Sequence, residues 1–441
     1  MNSGDSRNKN TVERMFGKYV FQNILGMLGI SVYILADTFF ISMAEGAGGI
    51  TALNLVLPIY SLIYGIGAMI GVGSAIKFNI LRARKDESAD AFFSNAVIFA
   101  FIFSLIFIFA GIFAPSALVR LLGGDEVIVA IGTPYTRIFL ICAPFFMGNI
   151  ICNAFVRNDG NPTFAMQATL FSSFFNIVMD YVFMFPMGLG MAGAALATGL
   201  SPVVGMLMCC RHFFSKRSSI KFLWQIPSFK RLLEVCRLGV AAFVGEISSG
   251  VTTAIFNFLI LSLAGNAGVA AYGVVANIAI VATAIFNGVA QGTQPLFSQF
   301  HGKKERETIC KILKLGFGTA IVLALIIVIV TLGFTEGIVA IFNSENNHQM
   351  EMYAMKGVKI YFWGFLFAGL NIVGSGYLSA IEEEVLAFGI SMIRGVVAIS
   401  ICAFVLAHFL GMTGIWLAFP TAEFITLLVL VIGMKKNERI S

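Results

Sequence analysis

Hydrophobic and polar positions fall into long alternating blocks along the chain. About 20 apolar residues cross roughly 30 Å of hydrocarbon as a helix. Segments of that length, bounded by charges, glycine-rich turns or proline, run over 18–44, 50–76, 91–118, 128–156, 163–186, 190–213, 235–263, 267–299, 309–333, 352–380, 385–408 and 413–434. Twelve transmembrane helices are therefore predicted. Strands of a lipid-facing barrel would alternate in polarity over about ten residues, whereas Ala96 to Ala114 is apolar on every face apart from Ser104. The fold class read from the pattern is an all-α polytopic membrane protein.

Composition agrees. Of the 441 residues, 58% are hydrophobic and 12% charged, against roughly 25% charged in a soluble protein. Mean hydropathy is +0.89, which excludes a soluble globular enzyme, since such a protein needs polar residues to cover its surface. The 44 Phe exclude a disordered chain, and no nucleic-acid partner is expected. Seven cysteines, with no C-x-x-C pair, read as small packing residues. The polar start, Met1 to Asn10, does not read as a cleavable signal peptide, so insertion is expected to be left to the spans themselves.

Charge sets an orientation. With the N-terminus in the cytoplasm, 24 of the 29 Lys and Arg fall on the inner side. They occupy the N-terminal tail, Lys77–Lys85, Arg157, Arg211–Arg237, Lys303–Lys314 and the tail after Gly433. Arg120, Lys356 and Lys359 lie outside, and Arg137 and Arg394 fall within spans. By the positive-inside rule both termini are cytoplasmic.

The longest polar interruption, Ser215 to Glu234, divides the chain near its middle, and a repeat crosses it. Gly190-Met-Ala-Gly-Ala-Ala-Leu-Ala at the start of the sixth span matches Gly411-Met-Thr-Gly-Ile-Trp-Leu-Ala at the start of the twelfth. Gly73 to Asp86 matches Gly292 to Glu305 at nearly the same offset. Six spans per half is an even number, so the halves share one orientation and are related by a pseudo-two-fold axis along the membrane normal. The predicted organisation is a tail (1–17), an N-lobe (18–213), a cytoplasmic linker (214–234), a C-lobe (235–434) and a second tail (435–441). Such lobes rock to open a central path alternately to each side.

Ala36-Asp37-Thr38-Phe39-Phe40, Arg157-Asn-Asp-Gly-Asn-Pro162, Gly245-Glu246-Ile-Ser-Ser-Gly250 and Gly288-Val-Ala-Gln-Gly-Thr-Gln-Pro295 resemble segments of bacterial multidrug and toxic compound extrusion (MATE) transporters. The resemblance covers essentially all twelve spans. It implies a two-lobed antiporter of the bacterial inner membrane, exporting amphipathic, often cationic compounds in exchange for H⁺ or Na⁺. It implies no other cofactor, no enzymatic activity, and as partners small organic substrates and the lipid bilayer, with a monomer expected.

Four acidic residues fall inside spans: Asp37, Asp180, Glu246 and Glu423. Each costs about 2.5–3.5 kcal/mol at a helix centre, so they should face the bundle interior or a watery cavity. At about 1.5 Å per helical residue, Asp37 lies roughly 12 Å below the outer end of its span, Asp180 roughly 9 Å and Thr198 roughly 12 Å. Asn176, four residues before Asp180, shares its helix face. Two carboxylates, an amide and a hydroxyl thus occupy one layer, an all-oxygen set suited to a hard cation such as Na⁺. Two carboxylates in one low-dielectric layer also cannot both ionise cheaply, which suits a proton equally. The resemblance independently marks Asn176, Asp180 and Thr198 as the family's N-lobe cation site, with Asp37 its first-span carboxylate.

Glu246 and Glu423, with the polar Asn54, Asn153, Asn277 and Gln294, are candidates for the substrate cavity, although interhelical hydrogen bonds would explain the amides equally. The family's tenth-span aspartate partner for the seventh-span glutamate is missing, because 352–380 contains no carboxylate. Thr198 aligns in the repeat with Phe419, so the polar layer is not duplicated. The alternatives are a lipid-linked precursor flippase, which would want cationic residues in its cavity, or another 6+6-helix secondary transporter.

Overall fold

The computed structural model describes residues 3–216, 218–342 and 347–440, which are mainly helical with no strand among them. Twelve passes follow in order within them. The first two are Thr11–Gly46 and Gly48–Ala83, and the third is Ala89–Phe113. The fourth is Glu126–Ile141 continued by Ala143–Asn158, the fifth Pro162–Met184 and the sixth Gly190–Phe213. One helical run, Phe229–Gly302, breaks at Gly265 into the seventh and eighth. The ninth is Arg306–Gly333, and the tenth runs from His348 to Ala380. The eleventh, Glu384–Leu410, contains a π-helical turn at Ile393–Val397, and the twelfth is Met412–Ile440.

Two separate hydrophobic cores form. One draws on Val56, Phe93, Phe139, Phe146 and Ala195 of the first six spans. The other draws on Phe256, Phe286, Phe365, Ile399 and Trp416 of the last six. The repeat is visible in the backbone as well. Gly46 and Gly265 turn between spans with φ of +60° and +61°, and Gly190 and Gly411 form a second matched pair with +50° and +57°. Glycine takes this left-handed conformation without the steric cost a side chain would meet.

Several boundaries move. The first helix begins well before residue 18, and Val12, Phe16, Tyr19 and Val20 of its basic end are buried against the C-lobe core. The seventh begins at Phe229, so the linker is shorter than expected. The fourth span bends by 48° at Cys142, where Pro144 has no N–H to continue the helix ladder.

The lobes close on each other at the end rich in Lys and Arg. Gly73 and Gly239 bring the second and seventh spans into backbone contact: a Cβ at Gly73 would run into the Val235 carbonyl oxygen, and one at Gly239 into that of Met69. Asn79 Nδ2 donates to the Pro295 carbonyl (2.7 Å) and to Ser298 Oγ (2.9 Å) across the same seam. Glu382 of the C-lobe accepts from Lys77 of the N-lobe at 2.7 Å, with Arg84 at 3.5 Å and His301 at 3.4 Å. Lys311 reaches Glu13 at 2.7 Å.

Candidate functional site

The first, fifth and sixth spans pack together because small residues let them. Gly29 faces Leu170 and Ser173, and Gly193 lies against the backbone of Phe183 and Met184. That packing places Asp37, Asn176, Asp180 and Thr198 inside the N-lobe, with Asn176 and Asp180 fully buried and Asp37 and Thr198 8% and 4% exposed. The charge of Asp37 reaches Asp180. In the amide orientation that pairs donors with acceptors, Asn176 donates to Asp180 Oδ2 at 3.1 Å and accepts from the Thr198 N–H at 3.3 Å. The Oδ1 atoms of Asp37 and Asp180 are both buried without a hydrogen-bond partner. Buried polar atoms are nearly always paired. Two unpaired carboxylate oxygens in one layer are what a site for a proton or a small cation would present.

Tyrosines connect this layer to the space between the lobes. Tyr33, one turn before Asp37, lies beside Tyr60 and Tyr64 of the second span and within the field of both aspartates. Tyr60 and Tyr64 stack at 4.2 Å between centroids, and Phe139 and Phe146 extend the aromatic wall. Tyr135, almost fully buried, also lies within reach of both carboxylates. None of these tyrosines carries a sequence signal that separates it from the core aromatics.

The remaining candidates scatter. Glu246 is exposed on the seventh span, within electrostatic reach of Tyr64 of the other lobe. Glu423, expected in the substrate cavity, is 2% exposed and already has a cation, since Arg394 Nε donates to its Oε1 at 2.7 Å and Asn371 Nδ2 to its Oε2 at 2.8 Å. Asn153 is likewise engaged inside the N-lobe, donating to Asn149 Oδ1 and accepting from Thr169. Asn54 is exposed, Asn277 half-buried, and Gln294 buried with its Nε2 unpartnered. Arg157, counted by sequence among the basic residues of the inner side, is 7% exposed and joins the lobes by donating to Asn23 Oδ1 (3.0 Å) and Gln291 Oε1 (2.8 Å). Asp159, in the same turn, accepts from Ser219 and contacts His212 at 2.9 Å, tying the linker to the N-lobe.

The sequence model of the MatE family matches this chain twice, over residues 23–182 and 241–404. The chain belongs to the MatE family. Each match falls within one lobe and covers most of its first five spans, in keeping with the internal repeat. Relatives include the multidrug export protein MepA of Staphylococcus saprophyticus, 27% identical over 91% of this chain and 88% of that protein, and its counterpart in Staphylococcus aureus at 28% over the same shares. Among solved structures, a MATE in complex with MaL6 superposes with a TM-score of 0.91 at 22% identity, covering 96% of each chain. An outward-facing multidrug resistance MATE family transporter of the MOP superfamily superposes at 0.88 and 22%, again over 96% of each. The twelve-helix, two-lobed fold is therefore that of MATE transporters, and the Asp37–Asp180 layer sits in the lobe that the first of the two MatE matches covers.

Proposed function

We propose that the chain is a secondary antiporter of the bacterial cytoplasmic membrane that exports amphipathic, cationic organic compounds in exchange for H⁺ or Na⁺. The observation that carries this reading is the pair of unpartnered, buried carboxylate oxygens of Asp37 and Asp180 beside Asn176 and Thr198. Two carboxylates in one low-polarity layer repel, and a proton or Na⁺ held between them relieves that repulsion. Gain or loss of this cation changes the layer's charge, and Tyr33 passes the change to Tyr60 and Tyr64 in the wall facing the cleft. Glu246, within electrostatic reach of Tyr64, supplies a counter-charge for a cationic aromatic substrate.

The lobes as described meet at the basic end, which the positive-inside rule puts in the cytoplasm, so this conformation suits release to the outside. One charge moving through 100 mV supplies about 2.3 kcal/mol, enough for a single coupled ion to drive useful accumulation. Efflux of a fluorescent organic cation from cells producing Asp37→Asn or Asp180→Asn tests the proposal. Loss of export at normal membrane abundance supports it, and full export by both variants removes the layer from the mechanism.

A further inference from the structure

We propose that the linker between the lobes, with the first turn of the seventh span, forms a binding site for an anionic phospholipid in the leaflet on the basic side. The proposal rests on the membrane-spanning fold and is independent of the antiport reading. Residues 218–228 run without helix along the third span. There the Lys221 N–H donates to Asp90 (3.2 Å), the Leu223 N–H to Ser94 Oγ (2.7 Å) and the Ser228 N–H to Asn95 Oδ1 (2.7 Å). Asn95 is nearly two turns beyond Ala89, so the linker is pinned about 9 Å inside the end of that helix. Interfacial segments bury their apolar side chains between headgroups and acyl chains.

The side chains on this strap match that location. Trp224 is 92% exposed, Phe214 and Ile226 90% each, and Phe229 64%. Scattered exposed apolar residues are ordinary, but Trp224 and Ile226 on a strap fixed by hydrogen bonds, with Phe214 and Phe229 at the ends of the helices that flank it, make a group that needs an apolar neighbour. Tryptophan is also the residue type enriched at the headgroup level of membrane proteins.

At the strap's end, where Ser228 meets the seventh span, lies a cavity of about 400 Å³ lined by Lys77, Ser88, Ser228, Lys230, Arg231 and Glu234. Lys77 is engaged by Glu382, and Glu234 is the single acid of the lining. Lys230 and Arg231 remain, with Arg231 held 5.9 Å over the Phe92 ring and donating to Gln225 Oε1 at 3.2 Å. A positioned guanidinium, an exposed ammonium and two serine hydroxyls suit a phosphate headgroup, whose acyl chains would lie over Trp224 and Ile226. A lipid there touches the third span of one lobe and the seventh of the other, on the side where the lobes are closed.

Fluorescence quenching tests this on the full chain in vesicles. Trp224's own share is read as the difference between the unaltered protein and Trp224→Phe, which leaves Trp363 and Trp416 in place. Brominated phosphatidylglycerol should quench that share about twofold more than brominated phosphatidylcholine at equal mole fraction, and Lys230→Gln with Arg231→Gln should abolish the excess. Equal quenching by the two lipids, quenching by neither, or an excess that survives both substitutions would each overturn the proposal.

Discussion

In the N-lobe, Asp37 and Thr198 converge with Asn176 and Asp180 on a layer whose carboxylates keep unpaired oxygens. The spacing that relates Gly46 to Gly265 carries Asp37 onto Phe256 in the C-lobe, and the spacing that relates Gly190 to Gly411 carries Thr198 onto Phe419. Both are packed rather than polar: Phe256 stacks against Tyr272 at 5.2 Å, and Phe419 against Tyr361 at 4.3 Å. Glu423, a buried C-lobe carboxylate, is held by Arg394 and Asn371. One lobe thus leaves oxygens of its buried acids unpaired, while the other pairs its buried acid with a cation of its own chain. On the reading proposed above, ion exchange belongs to the N-lobe, and the C-lobe serves as the frame against which it moves.

Substitutions that break this contrast should differ in size. The largest effect is expected from Arg394→Met, which strands Glu423 as a buried, uncompensated charge and should cost about 3–5 kcal/mol in unfolding measurements. Adding Glu423→Gln should restore most of that loss. In the N-lobe the same kind of measurement should give the opposite result, because Asp180→Asn removes a charge that has no cation on the chain.

The seam between the lobes comes next. Gly239→Ala drives a Cβ into the Met69 carbonyl and should cost the closed state about 1–3 kcal/mol. Spin-label distances across the basic end should lengthen accordingly. Gly245→Ala, with nothing within 4 Å of the new carbon, is the control that should leave them unchanged.

Glu382→Gln should have a smaller effect, about 1 kcal/mol toward the opened basic end, since partly exposed ion pairs contribute modestly. The hydrogen bond from His301, then Lys77 and Arg84, hold the Glu382 carboxyl down from 4.5 to about 2. A depressed carboxyl contributes fully above its ordinary value and loses its contribution as the pH falls toward the lowered one. The same distance measurement should therefore show no dependence on Glu382 protonation between about pH 5 and pH 8. The smallest change is expected for the stability of Asp37→Asn, within about 1 kcal/mol of the unaltered chain by thermal unfolding, because that carboxylate has an unpaired oxygen to begin with.

Much of this contrast is legible in the sequence. Hydropathy marks twelve spans because hydrocarbon tolerates little else, and counting about 1.5 Å per residue from the loops places Asp37, Asp180 and Thr198 at similar depths. Hydropathy is silent where helices continue past the membrane, so it misses the reach of Val12 and Phe16 onto the C-lobe core and the start of the seventh helix at Phe229. The Arg394–Glu423 pair is hidden for a different reason. Regular helical counting cannot foresee the π-helical turn at Ile393–Val397, which lets Arg394 reach Glu423 while Gly395, the next residue, packs on Ser248 of the seventh span. The interlobe role of Arg157 depends on Gln291, far along the chain in the other lobe, and no local pattern announces such a contact.

The most direct test of the central claim compares two modes of transport in proteoliposomes containing Asp180→Asn. One is uptake of a fluorescent cation driven by an imposed pH or Na⁺ gradient, and the other is exchange of that cation with no gradient. The account predicts that gradient-driven uptake is lost while exchange persists, because Asp180 holds the coupling ion and Glu246 and the tyrosine wall hold the substrate. Gradient-driven uptake at the level of the unaltered chain would contradict it.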